Sequence, residues 1–436
     1  MRPDNDIRAL VGYIVETWEL SPFWADVAAA VVILAVAAVV FLAVMTFAGV
    51  LTWAERRVAG RTQSRVGPNR VGPIGFLQWV VDGVKLVLKE DFVPDAADGP
   101  LFRLAPYLVI LGVFSAMATV PFSQVLIAAD LDVGALFIMA ITSLVVVGVL
   151  MSGWASNNKW ALLGGVRSAA QIVSYEVPAA LSVMTIVLLA GSLSMQTIIG
   201  QQGGWPWEWY IFHSPFTFVL FFVFLASSIA EGNRIPFDLP EAESELVAGY
   251  NTEYSGMRWA GFFLGEFANV YVMSAIATTL FFGGWQVPGV AAEEHGDSLL
   301  IQGLGLVIFL GKAWVGCFVV LWARWTLPRL RVDQLMGVCY RYFIPIAFAC
   351  MLGVALYALV VPAGSLPDVA VHLVTMAMGA AAVVVLFRRV GHHARSVGDR
   401  ISLAEVLQRG QRFEFDPSVQ LRRYGAHRRG GARESR

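Results

Sequence analysis

The sequence predicts an all-α polytopic membrane protein with about nine transmembrane helices and an amphipathic helix on its inner face. Three observations carry that prediction. Of 436 residues, 57% are hydrophobic and only 14% charged, with mean hydropathy +0.65, whereas a soluble globular chain has about 25% charged residues. Apolar runs long enough to cross a bilayer, about 20 residues each, recur along nearly the whole chain. Lysine and arginine fall almost entirely in alternate connections between those runs, and that bias sets orientation.

The runs lie near 27–53, 104–128, 133–153, 173–192, 214–231, 259–283, 299–323, 342–362 and 368–387. No soluble domain of any size fits between them, and no internal repeat is visible. With residues 1–26 outside, the inner connections carry Arg56, Arg57, Arg61, Arg65, Arg70, Lys85, Lys89 and Arg103, then Lys159 and Arg167, then Arg234 and Arg258, then Arg324, Arg329, Arg331 and Arg341. The outer connections 122–132, 193–213, 284–298 and 363–367 carry neither lysine nor arginine. The twelve arginines beyond residue 387 decide between eight and nine spans. Eight spans would leave them outside against the bias, and nine place them inside. A ninth span within 363–390 is therefore expected, although Pro367, Asp368 and His372 interrupt its start, and 391–436 becomes a basic cytoplasmic tail. The start of the chain lacks the basic region followed at once by a short apolar core that marks a cleavable signal peptide.

Several chemistries find no support. The three cysteines, Cys317, Cys339 and Cys350, form no CxxC pair, so a cysteine-held zinc or iron–sulfur cluster is not expected in this chain. Gly303-Leu-Gly305 lacks the third glycine of a dinucleotide loop, and no GxxxxGK[ST] occurs. His392-His393 has no neighbouring ligands, so no metal site is expected there. Nothing points to nucleic acid.

The inner connection 54–103 is more than a linker. Gly67-Pro68-Asn69 and Gly72-Pro73 mark turns. Phe76, Leu77, Trp79, Val80, Val84 and Leu88 then recur at helical spacing, with Asp82, Lys85, Lys89 and Glu90 between them. That pattern predicts a helix lying in the membrane surface. Trp205, Trp207 and Trp209 read as anchors at the outer interface.

The stretch 231–256 holds six carboxylates (Glu231, Asp238, Glu241, Glu243, Glu245 and Glu253) and, up to its last residue, one basic side chain, Arg234. Acid next to a bilayer is costly, and closely spaced carboxylates raise one another's pKa, which suits a proton relay. The plainer reading is a solvated acidic loop. Leu239, Leu246, Val247 and Tyr250 among the acids, and Pro236 and Pro240, argue for a packed one. Glu55, Arg56, Arg57, Glu176 and Glu231 sit near span ends, where the alternative is snorkelling to the headgroups. Glu266 and Lys312 fall well inside runs, where an ionisable group needs a partner or water.

These residues carry a family resemblance. Glu55-Arg56-Arg57, Gln63 to Pro73, Asp82 to Asp91, Gly153 to Arg167, Tyr175 to Pro178, Ala230 to Gly256 and Arg324 to Met336 resemble, in order, the motifs of the H subunits of proton-translocating NADH–quinone oxidoreductases. These are the bacterial counterparts of mitochondrial complex I subunit 1. The resemblance covers about 27–362 and implies a membrane core of eight spans with chamber loops at 54–103, 154–172, 231–258 and 324–341. It implies an anchor for the redox arm that helps peripheral subunits B and D form the chamber for a quinone, ubiquinone or menaquinone. The peripheral I subunit, the A subunit of the membrane arm and the neighbouring membrane-arm subunits are the further implied partners. Quinone is then a bound substrate, nothing is held covalently, and FMN and iron–sulfur clusters belong to partner subunits. By motif position the relay acids would be Glu176, Glu231, Asp238, Glu241, Glu243, Glu245 and Glu253. The chamber and its entrance would use Glu55, Arg56, Arg57, Arg65, Asp82, Lys85 and Arg324, with Glu266 and Lys312 as intramembrane charges. The implied location is the bacterial plasma membrane. The ninth span and the tail lie outside the resemblance. Two other readings stay open: the anchor subunit of a related membrane-bound hydrogenase, which shares the scaffold, and a free-standing ion-coupled transporter, which would usually show repeats.

Overall fold

The computed structural model describes residues 22–238, 243–290, 298–361 and 366–400. All regular structure among them is helical. The main helices are α1 (Pro22–Thr62), α2 (Gln78–Leu88), α3 (Gly99–Ala118), α4 (Gly134–Ala155), α5 (Lys159–Ala190), α6 (Pro215–Glu231), α7 (Gly256–Phe281), α8 (Leu299–Thr326), α9 (Val332–Val360) and α10 (Leu366–Arg400). Among the described residues, seven of these are long and apolar enough to cross a membrane, and two shorter apolar stretches, Pro215–Glu231 and Val369–Ala382, fall in the fifth and ninth runs. The protein is an all-α polytopic membrane protein. Residues to Met376 form one compact unit; Ala377 onward forms a second, described as the helical continuation to Arg400.

Helix α7 is the axis of the larger unit. Every residue from Gly265 to Phe281 is buried, as expected for a helix apolar on all sides. It packs against α1, α3, α6 and α8, while α5 packs against α4, α6 and α9. The buried cluster around α7 includes Leu51, Met117, Ile138, Phe224, Tyr271, Phe281 and Phe309. By contrast, α1 turns Ile33, Leu34, Val39 and Leu42 outward, the surface that hydrocarbon would cover.

Two helices run past the apolar segments that announce them. Helix α1 continues to Thr62 because no glycine–proline turn intervenes before Gly67, so Glu55, Arg56 and Arg57 ride on a helix. Helix α5 begins at Lys159, where the Asn158 side chain accepts from the Trp160 amide at 2.9 Å and caps it. Glu176 therefore lies mid-helix. Gly164 and Gly165 are close-contact positions: a Cβ at Gly164 would stand 2.6 Å from the Gly249 Cα, and one at Gly165 would stand 3.2 Å from the Gly153 Cα.

Among its described residues the stretch after α6 is packed; Leu239 and Pro240 lie outside them. Phe237, Leu246, Tyr250 and Tyr254 are buried, while Val247 is exposed. The Tyr254 ring stacks on Phe102 at 4.0 Å, and its hydroxyl donates to the Phe102 carbonyl at 3.1 Å. Burial pushes that phenol above its ordinary pKa, against the opposing pull of the Arg258 guanidinium, which keeps the donor protonated. The Leu330 amide donates to the Pro236 carbonyl at 3.1 Å and ties the stretch to the α8–α9 connection.

Candidate functional site

Four charged side chains meet inside the end of the bundle that holds this acidic stretch. Glu55 comes from the last turns of α1, Arg234 from the loop after α6, Glu266 from α7 and Arg324 from the end of α8. Arg234 is 5% exposed, Glu55 8% and Glu266 9%. One Arg234 guanidinium nitrogen stands 3.8 Å from Glu55 Oε2 and the other 3.9 Å from Glu266 Oε2. Arg324 pairs directly with Glu55 Oε1. Tyr250 donates its hydroxyl to Glu266 Oε1 at 2.6 Å. The Arg234 guanidinium also lies 3.9 Å from the centre of the Phe267 ring, a cation–π contact.

Two carboxylates and two guanidiniums make the cluster formally neutral. Buried charge of this kind persists only when paired, and removing one partner of such a pair costs about 3–5 kcal/mol. Arg234 is the residue that sequence reasoning left out of the site. Its signal was present: it is the lone base between Glu231 and Tyr254. Tyr250 was counted for packing, yet it also supplies the hydroxyl that Glu266 accepts.

A second group lies along α5 and the end of α6. Glu231 is 5% exposed, and Glu176 is half-buried on α5, which packs against α6. Gln171 donates to the Ala230 carbonyl at 2.7 Å and to Asn233 Oδ1 at 3.2 Å, which fixes the chain where α6 ends. Asn269, three residues beyond Glu266, donates to the Glu231 backbone carbonyl at 3.5 Å. Gln171 and Asn269 carried no sequence signal beyond being amides in apolar surroundings.

The remaining acids separate. Arg167 bonds Glu245 at 2.8 Å on the surface, and Asn158 donates to Glu253 Oε1 at 2.6 Å. Asp238 is half-buried beside the cluster's loop. Glu241 lies outside the described residues, and Glu243 opens the one-turn helix Glu243–Leu246.

The entrance residues form their own group. Arg56 pairs with Asp82, which also accepts from Gln78 at 3.0 Å and lies 3.9 Å from Lys85. The Arg56–Asp82 pair fastens α2 to α1, and Trp79 sits so close to Gly49 that a Cβ there would be 2.3 Å from its ring. Val80, Val81, Val84, Val87 and Leu88 remain exposed along α2, as suits a helix lying in a membrane surface. Arg57 reaches the Pro68 carbonyl at 3.4 Å and lies over the Trp53 ring. Arg65 is exposed and donates to Gln63 Oε1 at 2.6 Å.

Lys312 belongs elsewhere. Its ammonium donates to the carbonyls of Phe282 and Gly284 at 2.7 and 3.0 Å and lies 4.7 Å from the Trp209 ring centre. Those carbonyls lie just past the end of α7, and Phe282 is sixteen residues or about 24 Å along the helix direction from Glu266. Lys312 is a cap on the negative end of the central helix. At that same end Gln202 donates to the Thr279 carbonyl and accepts from the Gly283 amide, joining the connections there.

Comparisons with known proteins identify the family. The family model described as NADH dehydrogenase matches residues 34–355. The NADH-quinone oxidoreductase H subunit of Anaeromyxobacter dehalogenans is 50% identical over 404 residues, 89% of this chain and 97% of that protein. The corresponding H subunit of Chlorobium luteolum is 42% identical over 370 residues, 83% of this chain and 98% of its own. Subunit 8 of the NADH-quinone oxidoreductase of Rhodothermus marinus is 43% identical over 334 residues, 74% of this chain and 97% of its own. The chain therefore belongs to the NADH dehydrogenase family, as an H subunit of an NADH–quinone oxidoreductase.

Proposed function

We propose that this chain anchors the redox arm in the bacterial plasma membrane and forms part of the quinone chamber, and that it couples quinone reduction to proton translocation through buried carboxylates. It holds no redox centre of its own. Flavin and iron–sulfur clusters sit on partner subunits, with B, D and I facing the arginine-rich end and the A subunit beside the bundle. That end faces the cytoplasm, as the lysine and arginine distribution favours.

The observation that carries the reading is the neutral cluster of Glu55, Arg234, Glu266 and Arg324, with the buried Glu231 and half-buried Glu176 behind it. A quinone accepting two electrons demands protons at the end of the bundle where these groups lie. The proton comes from Glu176 or Glu231 in its neutral form, and the guanidiniums of Arg234 and Arg324 favour the negative charge left on that carboxylate. Reprotonation of that carboxyl from the other member of the pair passes the negative charge inward. Asp238, Glu245 and Glu253 extend the acidic wall toward the surface, and motif position assigns Glu241 and Glu243 to the same relay. Arg56, Asp82 and Lys85 hold the surface helix that lines the lipid-side entrance, and Arg57 and Arg65 flank its turn.

Replacing Glu176 or Glu241 by Gln, one at a time, tests this. Each variant should lower inhibitor-sensitive NADH:quinone turnover and proton pumping, while flavin-site reduction of a water-soluble acceptor survives. Full quinone activity and full pumping in both would make these acids bystanders.

A further inference from the structure

Two prolines in facing helices leave matching gaps. Pro178 lies inside α5 and has no N–H to give the carbonyl four residues back, that of Ser174. Pro345 lies inside α9 and likewise cannot bond the Arg341 carbonyl. There the chain takes a π-turn, Cys339–Phe343, in which the Ile344 amide reaches back five residues to the Cys339 carbonyl.

The π-turn is seated on the broken turn of α5. The Cys339 thiol donates to the Ser174 carbonyl at 3.0 Å, the acceptor that Pro178 leaves open. The Ser174 hydroxyl is used within its own helix, donating to the Ala170 carbonyl at 2.6 Å. Tyr340 is thereby the donor in its 3.1 Å bond to Ser174 Oγ. Next along α5, the Tyr175 hydroxyl donates to the Leu335 carbonyl at 3.0 Å, and its ring meets Phe343 edge-on. The residue after these two anchored positions is Glu176, whose Oε1 is buried without a hydrogen-bond partner among the described residues.

We infer that Cys339 and Tyr340 are positioning residues for Glu176: Cys339 occupies the gap left by Pro178, Tyr340 bonds the side chain of the same residue, and together they hold the turn of α5 that aims this carboxylate. The inference rests on the relay role proposed above. Their role is to orient Glu176, not to bind quinone or to relay a proton. Cys339 replaces the one backbone bond that an unbroken helix would provide at Ser174, Tyr340 adds a bond to that residue's side chain, and together they make the direction of Glu176 depend on α9. A helix lacking one backbone bond is free to bend at that point, so the carboxylate would otherwise swing with the bend.

The test uses the intact complex in membrane vesicles, with Cys339→Ala, Tyr340→Phe, Cys339→Ser and Glu176→Gln compared. Flavin-site reduction of a water-soluble acceptor reports assembly. Loss of one neutral hydrogen bond should lower quinone-linked turnover about fivefold in Cys339→Ala and in Tyr340→Phe. It should also shift the pH at which turnover is half-maximal, and Cys339→Ser, which keeps a donor, should restore both. Wild-type turnover in Cys339→Ala and Tyr340→Phe beside an impaired Glu176→Gln would overturn the positioning role alone. A fall in turnover with an unmoved pH profile, or one that Cys339→Ser does not rescue, would overturn it as well. A silent Glu176→Gln would overturn the relay, and this inference with it.

Discussion

Replacing Arg234 by Gln is the sharpest test of the buried cluster. The guanidinium stands 3.8 Å from Glu55 and 3.9 Å from Glu266. At an effective dielectric of about 20, each such contact is worth about 4 kcal/mol of attraction before desolvation is subtracted. Glu55 keeps the full positive charge of Arg324 beside it. Glu266 keeps the Tyr250 hydroxyl, a neutral donor, so most of the loss falls on Glu266. The expected cost is about 3–5 kcal/mol, the usual result of orphaning a buried charge. The assay is a double-mutant cycle on the purified complex, read as the midpoint of thermal inactivation of quinone reduction. Arg234→Gln should lower the midpoint by several degrees. Adding Glu266→Gln should recover more than half of that loss, because the charge left behind is then removed too. If the double variant is as damaged as the sum of the two single ones, Arg234 and Glu266 are not coupled and the cluster does not act as a unit.

Three further outcomes follow from other contacts. Gly164→Ala places a methyl 2.6 Å from the Gly249 Cα, and neither backbone can yield; the protein should fail to accumulate, measured by immunoblot of membranes, whereas Gly303→Ala, with open space around it, should accumulate normally. Lys312→Met strips the carbonyls of Phe282 and Gly284 of their donor and should cost about 1–3 kcal/mol, seen as a lower inactivation midpoint with an unchanged Michaelis constant for quinone. Asp82→Asn weakens a pair whose arginine is largely exposed; its stability effect should stay below about 1 kcal/mol, and any change should appear in the apparent affinity for a long-tailed quinone.

Much of this fold could be read from the sequence because membrane helices must satisfy their own backbone and announce themselves as long apolar runs. What the runs do not reveal is where helices continue in polar dress. Lys159 to Ile172 reads as a connection because it holds Lys159, Arg167 and two glycines, yet it is helix, held against Gly153 and Gly249 by the absence of side chains. The acids were legible as a group, but their partners were not. Glu55 and Arg324 are 269 residues apart and touch. Glu231 and Glu245 share one acidic stretch, yet one is buried and the other lies largely in solvent. Such pairings depend on how helices rotate about their axes, which local pattern does not encode. Lys312 shows the same limit: depth within an apolar run called for a partner or water, and the partner proves to be carbonyls at the end of a neighbouring helix.

The buried cluster also sets an order of events during synthesis. Glu55 leaves the ribosome long before Arg234 and Arg324 exist. At roughly 5–20 residues per second, the 179 residues between Glu55 and Arg234 take about 10–35 seconds to make. For that interval the carboxylate has neither of its arginines. Its place near the end of α1 lets it wait in headgroup water while the apolar part of the helix is already inserted. The site closes only when the eighth helix arrives, so the last long helix of the cluster to be made is also the one that seals it.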